Sequence, residues 1–309
     1  MHSFVVGAGA FDVVQVQGPD AARFLQGQLT CDVNTLADNS RVYGACCNNK
    51  GRVIAAFVLV RVADIYYLCM PRGLGEVLVT ALRKYVPFYR CDLMLAADSH
   101  QLLAIAGSDQ IAHFAGVAAL EAGQAVLRTS GWLCNLEAEP ARALWWCSVG
   151  QAMPNDATTA GSLEQWETLA LLDGHYPFRQ NDSGLFTPQE LNFDLNGYVS
   201  FSKGCYTGQE IVARMHYRGK PKKQLFLAKL AQPATFAEGD TLLPVTDTQN
   251  HTLGSCRLQR SCGNLHLALI EMPADFSGNS GELKIADSLI TASCAFEPKV
   301  IQFSHFVSA

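Results

Sequence analysis

Twelve residues, Lys203 to Arg214 (KGCYTGQEIVAR), restrict the chain more than any other stretch. Cys205 stands between Gly204 and Gly208, Lys203 lies two residues before it, and Tyr206 follows. Thr207-Gly208-Gln209-Glu210 has the form of a capping box, with Thr207 as N-cap and Glu210 reaching back, so a helix is expected to begin at Gly208. Ile211, Val212 and Met215 then share one face, while Glu210 and Arg214 sit four apart in the favourable acid-before-base order and are expected to hold the turn. Gly219 should end the helix through a left-handed cap, and Pro221 by lacking a backbone donor. A cysteine just outside a helix N-terminus, with a lysine beside it, is favoured as the thiolate, which makes a reactive or metal-binding sulfur. The competing reading is a small buried residue in a tight turn.

The other cysteines do not compete for that role. There are eleven, an odd number scattered without C-x-x-C pairs, which fits reduced thiols better than a disulfide framework and offers no zinc site. At 309 residues, with 49% hydrophobic and 17% charged, the chain is long enough for two or three domains around a large core. The longest uncharged apolar run, Val53 to Val60, is far too short to cross a bilayer and reads as a buried strand. No basic or Arg-rich leader precedes the first folded-looking segment, so a cytoplasmic address with no membrane partner is expected. Net charge is −5, yet residues 203–223 carry six Lys/Arg (Lys203, Arg214, Arg218, Lys220, Lys222, Lys223) against Glu210 alone. Such a strip suits an anionic partner, a folate glutamate tail or an RNA backbone, and equally suits a solvated basic turn.

Hydrophobic periodicity sets the rest. Asp12–Val16 reads as a strand ending at Gly18-Pro19, followed by a helix capped by Asp20. Val53–Val60 and Ile65–Met70 read as antiparallel neighbours, and Leu74–Tyr85 as an amphipathic helix. From Leu102 the pattern begins again: a strand to Ala106, a helix over 110–122, and strands around 125–127 and 144–149. Ser162–Leu172 is helical. Residues 174–196 form a long loop whose aromatics (Tyr176, Phe178, Phe186, Phe193) argue for order. Beyond Pro221, five short strands at roughly ten-residue spacing indicate a small barrel or sandwich. The fold class expected is α+β: a region over 1–223, divisible near 91–101 into two lobes, and a β-barrel over 224–309.

The KGCYTGQE segment, continued by Met215-His216-Tyr217-Arg218-Gly219-Lys220, resembles the signature of the YgfZ family of folate-binding proteins, relatives of the glycine-cleavage T-protein. The blocks Gly18-Pro19-Asp20, Phe24 to Thr30, Lys50-Gly51-Arg52 and Phe186-Thr187-Pro188-Gln189 are similar to family blocks as well. The resemblance implies two α+β lobes and a C-terminal barrel around a central channel that holds tetrahydrofolate, and a role in iron–sulfur cluster maintenance and thereby tRNA modification. Iron–sulfur proteins or assembly factors are the implied partners. By motif position Phe11 and Trp166 would face the folate rings, and Asp173 would grip the pterin edge. T-proteins carry acidic residues where this chain has Ala55 and Ala56, one of them catalytic, so aminomethyl transfer lacks its carboxylate. The alternative is that a folate-dependent one-carbon transferase survives through another group.

Overall fold

The computed structural model describes residues 3–7, 9–96, 99–116, 120–129, 131–150, 159–219, 222–235, 242–276, 282–296 and 301. The chain opens with β1 (Phe4–Val6), β2 (Phe11–Gln17) and α1 (Ala21–Gln26), then β3 (Ser40–Cys47), β4 (Val53–Val62), β5 (Ile65–Pro71), α2 (Leu74–Arg83) and β6 (Asp92–Leu95). β7 (His100–Ala106), α3 (Ser108–Ala115), β8 (Ala125–Arg128), β9 (Gly131–Ala138), β10 (Ala141–Ser148), β11 (Ala160–Gly161) and α4 (Leu163–Leu172) follow. A long loop leads to α5 (Gln209–Arg218), and β12 (Lys223–Leu230), β13 (Leu243–Thr246), β14 (Thr252–Cys262), β15 (Leu265–Pro273), β16 (Lys284–Ile285) and β17 (Ser288–Ala295) complete the described chain.

Two sheets form the body. One runs β3-β4-β5-β2-β6; the other runs β11-β1-β7-β10-β9-β8, so the first strand leaves its own lobe to lie between β11 and β7. Period-2 alternation decides what each face meets. On β7 and β10, Leu102, Ala104, Leu144 and Trp146 point into the core shared by the two sheets, while Leu103, Ile105, Ala143 and Trp145 meet α3 on the outer face. Across the sheets Tyr67 meets Trp132 edge-on at 5.2 Å. The fold is thus mixed α and β.

After α5, six antiparallel strands pair in a ring, β12-β15-β14-β13-β16-β17, with β17 returning to β12. Phe226, Ala228, Leu230, Ala268, Ile270 and Met272 fill its interior. The alternate residues of the same two strands, Leu225, Leu227, Leu267 and Leu269, belong to the core of the sheets. β12 and β15 are therefore apolar on both faces, which is why they read as continuous hydrophobic runs.

Several local expectations change. Asp20 makes no cap bond to α1; its carboxylate accepts from the Arg90 backbone N–H at 2.9 Å and side-chain Nε at 3.0 Å. The helix expected over 110–122 starts at Ser108 and ends at Ala115, where Gly116 turns left-handed at φ 60°; residues 117–119 lie outside the described ones. β1 and β9 had no counterpart in the sequence reading. A true capping box does occur, at α4: Ser162 Oγ accepts from Gln165 N–H at 3.1 Å, and Gln165 Oε1 accepts from Ser162 N–H at 2.8 Å.

That helix docks the ring of strands. Glu164 accepts the Ser261 N–H at 3.0 Å, and buried Glu167 takes guanidinium donors from Arg179 and from Arg260 of β14. Removing the carboxylate leaves the largely covered Arg260 cation without its partner. Glu167→Ala should therefore lower unfolding free energy by about 3 kcal/mol, read by urea denaturation; an unchanged midpoint would show that the pair does not join the parts.

Candidate functional site

The cysteine turn is built by anchoring it to a distant segment. Lys203 is buried, and its ammonium donates to the carbonyls of Gln26 at 2.8 Å, Leu29 at 2.5 Å and Cys31 at 2.8 Å. Its fourth neighbour is the Tyr206 ring, 5.1 Å away. Burial pulls the Lys203 pKa down to about 8, so it remains charged at neutral pH. All three N–H donors are spent on backbone, and the role expected beside the thiol is replaced by an anchoring one. Ser200 N–H to Thr30 O at 2.9 Å, Thr30 Oγ1 to Tyr198 O at 2.6 Å and Thr207 N–H to Gly27 O at 3.3 Å continue the same seam.

The helix start also differs from the expected box. α5 begins at Gln209, with Gly208 as N-cap at φ 84° and no side-chain cap. Thr207 Oγ1 donates instead to Gln28 Oε1 at 3.0 Å, and Gln209, not Glu210, reaches back, accepting the Tyr206 N–H at 3.2 Å. Glycine is required at 208: besides the left-handed φ, a Cβ would lie 2.4 Å from Asn48 O. Gly51 is its counterpart in the facing turn, at φ 68°, where a Cβ would lie 2.8 Å from Ile211 Cβ. Glu210 and Arg214 are exposed and form no ion pair among the described residues. At the other end Gly219 is extended, φ −95°, not left-handed.

Held this way, Cys205 is exposed, and among the described residues it is the one cysteine of the eleven that is. A Cβ on the neighbouring Gly204 would meet open space. No group of three or more His, Cys, Asp or Glu able to hold a metal occurs among the described residues. Of the expected basic strip, Lys203 is caged, Lys223 pairs with Glu271 at 2.9 Å, and Lys220 lies outside the described residues. Arg214, Arg218 and Lys222 remain exposed.

A cavity of about 90 Å³ lies between the inner faces of the two sheets, bounded by α4 and the loop at 175–178. Phe11 and Trp166 both line it and meet edge-on, ring centres 6.3 Å apart. Ala56 lies in its wall, whereas Ala55 is fully buried and is not among the lining residues. Asp173 is absent from that wall. It lines a polar cleft on the other side of Tyr43 and His175, whose rings meet at a 32° tilt with centres 3.8 Å apart and line both spaces.

Asp173 pairs with buried Arg142, Nε at 2.7 Å and Nη2 at 2.6 Å, and the guanidinium in turn stands over Trp166 at 4.9 Å. Burial pushes the Asp173 carboxyl up to about 7, against the pull of Arg142. Burial also pushes Glu137 up, but the His175 hydrogen bond and the Arg41 charge outweigh it and leave Glu137 at about 2. His175 is carried down to about 4 by burial, against the Glu137 hydrogen bond. Its Nε2 therefore holds the proton facing Glu137 at 3.4 Å, and Nδ1 presents a lone pair. Arg142 Nη2 meets the Asp173 carboxylate in the ion pair without a well-angled hydrogen bond, and His175 Nδ1 has no hydrogen-bond partner. Sequence reasoning did not single out Arg142, Glu137, Arg41, Tyr43 or Glu167. The available signal was Arg142 itself, a lone cation in the apolar strand Ala141–Ser148. Glu167 places a carboxylate in the cavity wall, but with both oxygens held by guanidinium donors it is a poor general base.

Two measurements test this geometry. Lys203→Met orphans three carbonyls and should cost about 3 kcal/mol of stability with faster amide exchange at 26–31; a lysine acting on the thiol alone would leave both unchanged. His175, depressed when folded, contributes stability that is complete above pH 6.5 and lost as pH falls toward 4. His175→Gln should flatten the pH–stability profile in that window, and an equal slope in both proteins would refute the assignment.

The family model of the GCVT N-terminal domain matches residues 4–122. A "tRNA-modifying protein YgfZ" of Vibrio atlanticus (strain LGP32) is 30% identical over 223 residues, 70% of this chain and 66% of the relative, so the chain spans slightly under two thirds of that protein. The Colwellia psychrerythraea (strain 34H) protein of the same description is 29% identical over 239 residues, 75% of this chain and 74% of the relative. The crystal structure of glycine cleavage system aminomethyltransferase T from Bartonella henselae superposes with a TM-score of 0.73 over 95% of this chain and 85% of that one; at 16% identity it speaks for the fold alone. The chain is built on the T-protein fold, carries a GCVT N-terminal domain, and is similar to the YgfZ proteins over most of its length.

Proposed function

We propose that the protein is a cytoplasmic folate-binding accessory factor that uses Cys205 in the assembly or repair of iron–sulfur clusters, and through them supports tRNA modification. The observation that carries the reading is the cysteine turn: a tethered backbone presenting one exposed thiol. A fixed, accessible thiol suits a transient ligand to iron or a carrier of sulfur, handed on to a client protein. The name of the relatives, tRNA-modifying proteins, supports the final step.

Tetrahydrofolate is the proposed occupant of the cavity, and the residues present fit it. Flat apolar walls from Phe11, Trp166 and Tyr43 suit pterin and aminobenzoyl rings. The His175 Nδ1 acceptor, which has no hydrogen-bond partner, suits a heterocycle that carries ring N–H groups. Asp173 serves by holding Arg142 against Trp166. A bound reduced folate supplies an easily oxidised, nucleophilic ring. Cys205 is not among the residues lining the cavity, so ligand and thiol act as separate sites.

One-carbon transfer is the second reading, favoured only by Glu167 in the cavity wall. Ala55, Ala56 and the two arginines on Glu167 weigh against it.

Cys205→Ser should leave stability and tetrahydrofolate affinity within about twofold of the parent, since the side chain is exposed and away from the cavity, while abolishing rescue of cluster-dependent tRNA modification in cells lacking the protein. Full rescue by the serine variant would overturn the thiol's role.

A further inference from the structure

A second cleft, of about 400 Å³, lies beside the cysteine turn, between α2 and the 48–51 turn, with Thr207 on its rim. Its lining includes Lys50 and Lys84 and no acidic residue, in a chain whose net charge is −5. Among the described residues neither lysine has a carboxylate partner. Gln28, 6% exposed, also lines it. Its Oε1 accepts the Thr207 hydroxyl at 3.0 Å, and its Nε2 has no partner among the described residues. Asn48 is set similarly: Oδ1 accepts the N–H groups of Lys50 at 2.9 Å and Arg52 at 3.0 Å, which leaves the amide donor over.

Two ammonium groups without a carboxylate partner, that of Lys84 resting 4.9 Å over the Tyr85 ring, and the amide groups of Gln28 and Asn48 line one cleft that has no acidic side chain. That donor set suits a group made of acceptor oxygens with negative charge. Ile54, Leu82 and Tyr85 form an apolar wall on the same cleft, against which the body of such a molecule packs.

We propose that this cleft binds the phosphoryl group of a phosphorylated ligand. The site is independent of the folate cavity and of the thiol, so Cys205→Ser should bind like the parent, and failure here leaves the reading of Cys205 untouched.

Titration calorimetry of the full chain at low ionic strength, with inorganic phosphate in one arm and adenosine monophosphate in the other, tests it. Saturable 1:1 binding is expected, weakened at least about tenfold by Lys50→Glu and by Lys84→Glu, both exposed positions, and unchanged in Lys222→Glu as a charge control. Tighter binding of the nucleotide identifies an occupant that also uses the apolar wall; equal affinities identify a free oxyanion. Absence of saturable binding in both arms, or equal weakening by all three lysine substitutions, overturns the proposal.

Discussion

The Lys203 ammonium is the interaction on which the cysteine turn depends. Three carbonyls from the turn after α1 converge on one cation from a segment about 175 residues later. An ammonium cannot leave such a cage without orphaning three buried acceptors, so both segments are fixed together. What the cage fixes is a loop end, a place where backbone is ordinarily mobile. The exposed sulfur is thereby presented from a rigid support while remaining open to a partner.

The Gly51–Gly208 contact holds the same turn from the other side. Both residues sit at positive φ, and each occupies space that a side chain would take from the facing segment. Between the ammonium cage and this contact the start of α5 has no freedom to slide. The cavity between the sheets is organised separately, by Arg41, Glu137 and the neutral His175 in one polar chain and by the Arg142–Asp173 pair beside it. The two constructions share no side chain, which matches the separation of sulfur and cavity.

Much of this was legible in the sequence where short-range rules apply. Strands β2, β4, β5 and β12 follow from apolar runs, and the glycines around Cys205 marked a turn, in which Gly208 proves to be left-handed. The parts that escaped depend on partners far along the chain. Thr207 and Glu210 fit a capping box locally, yet the threonine hydroxyl finds Gln28 and the helix is left to Gln209. Lys203 looked like a neighbour of the thiol because two residues separate them, and three-dimensional packing gave it carbonyls instead. Asp173, at the end of α4, was read as a free carboxylate, but Arg142 on β10 claims it. β1 is only three residues long and pairs across lobes, which no local pattern announces.

The barrel strands β12 and β15 have two sets of apolar side chains, one inside the ring and one against the sheets. Such a ring is a poor candidate for modular inheritance. Cut loose at the chain boundary or grafted onto another protein, it would carry a greasy flank of Leu225, Leu227, Leu267 and Leu269 into water, so the two parts must have diversified as one unit, each constraining substitutions in the other.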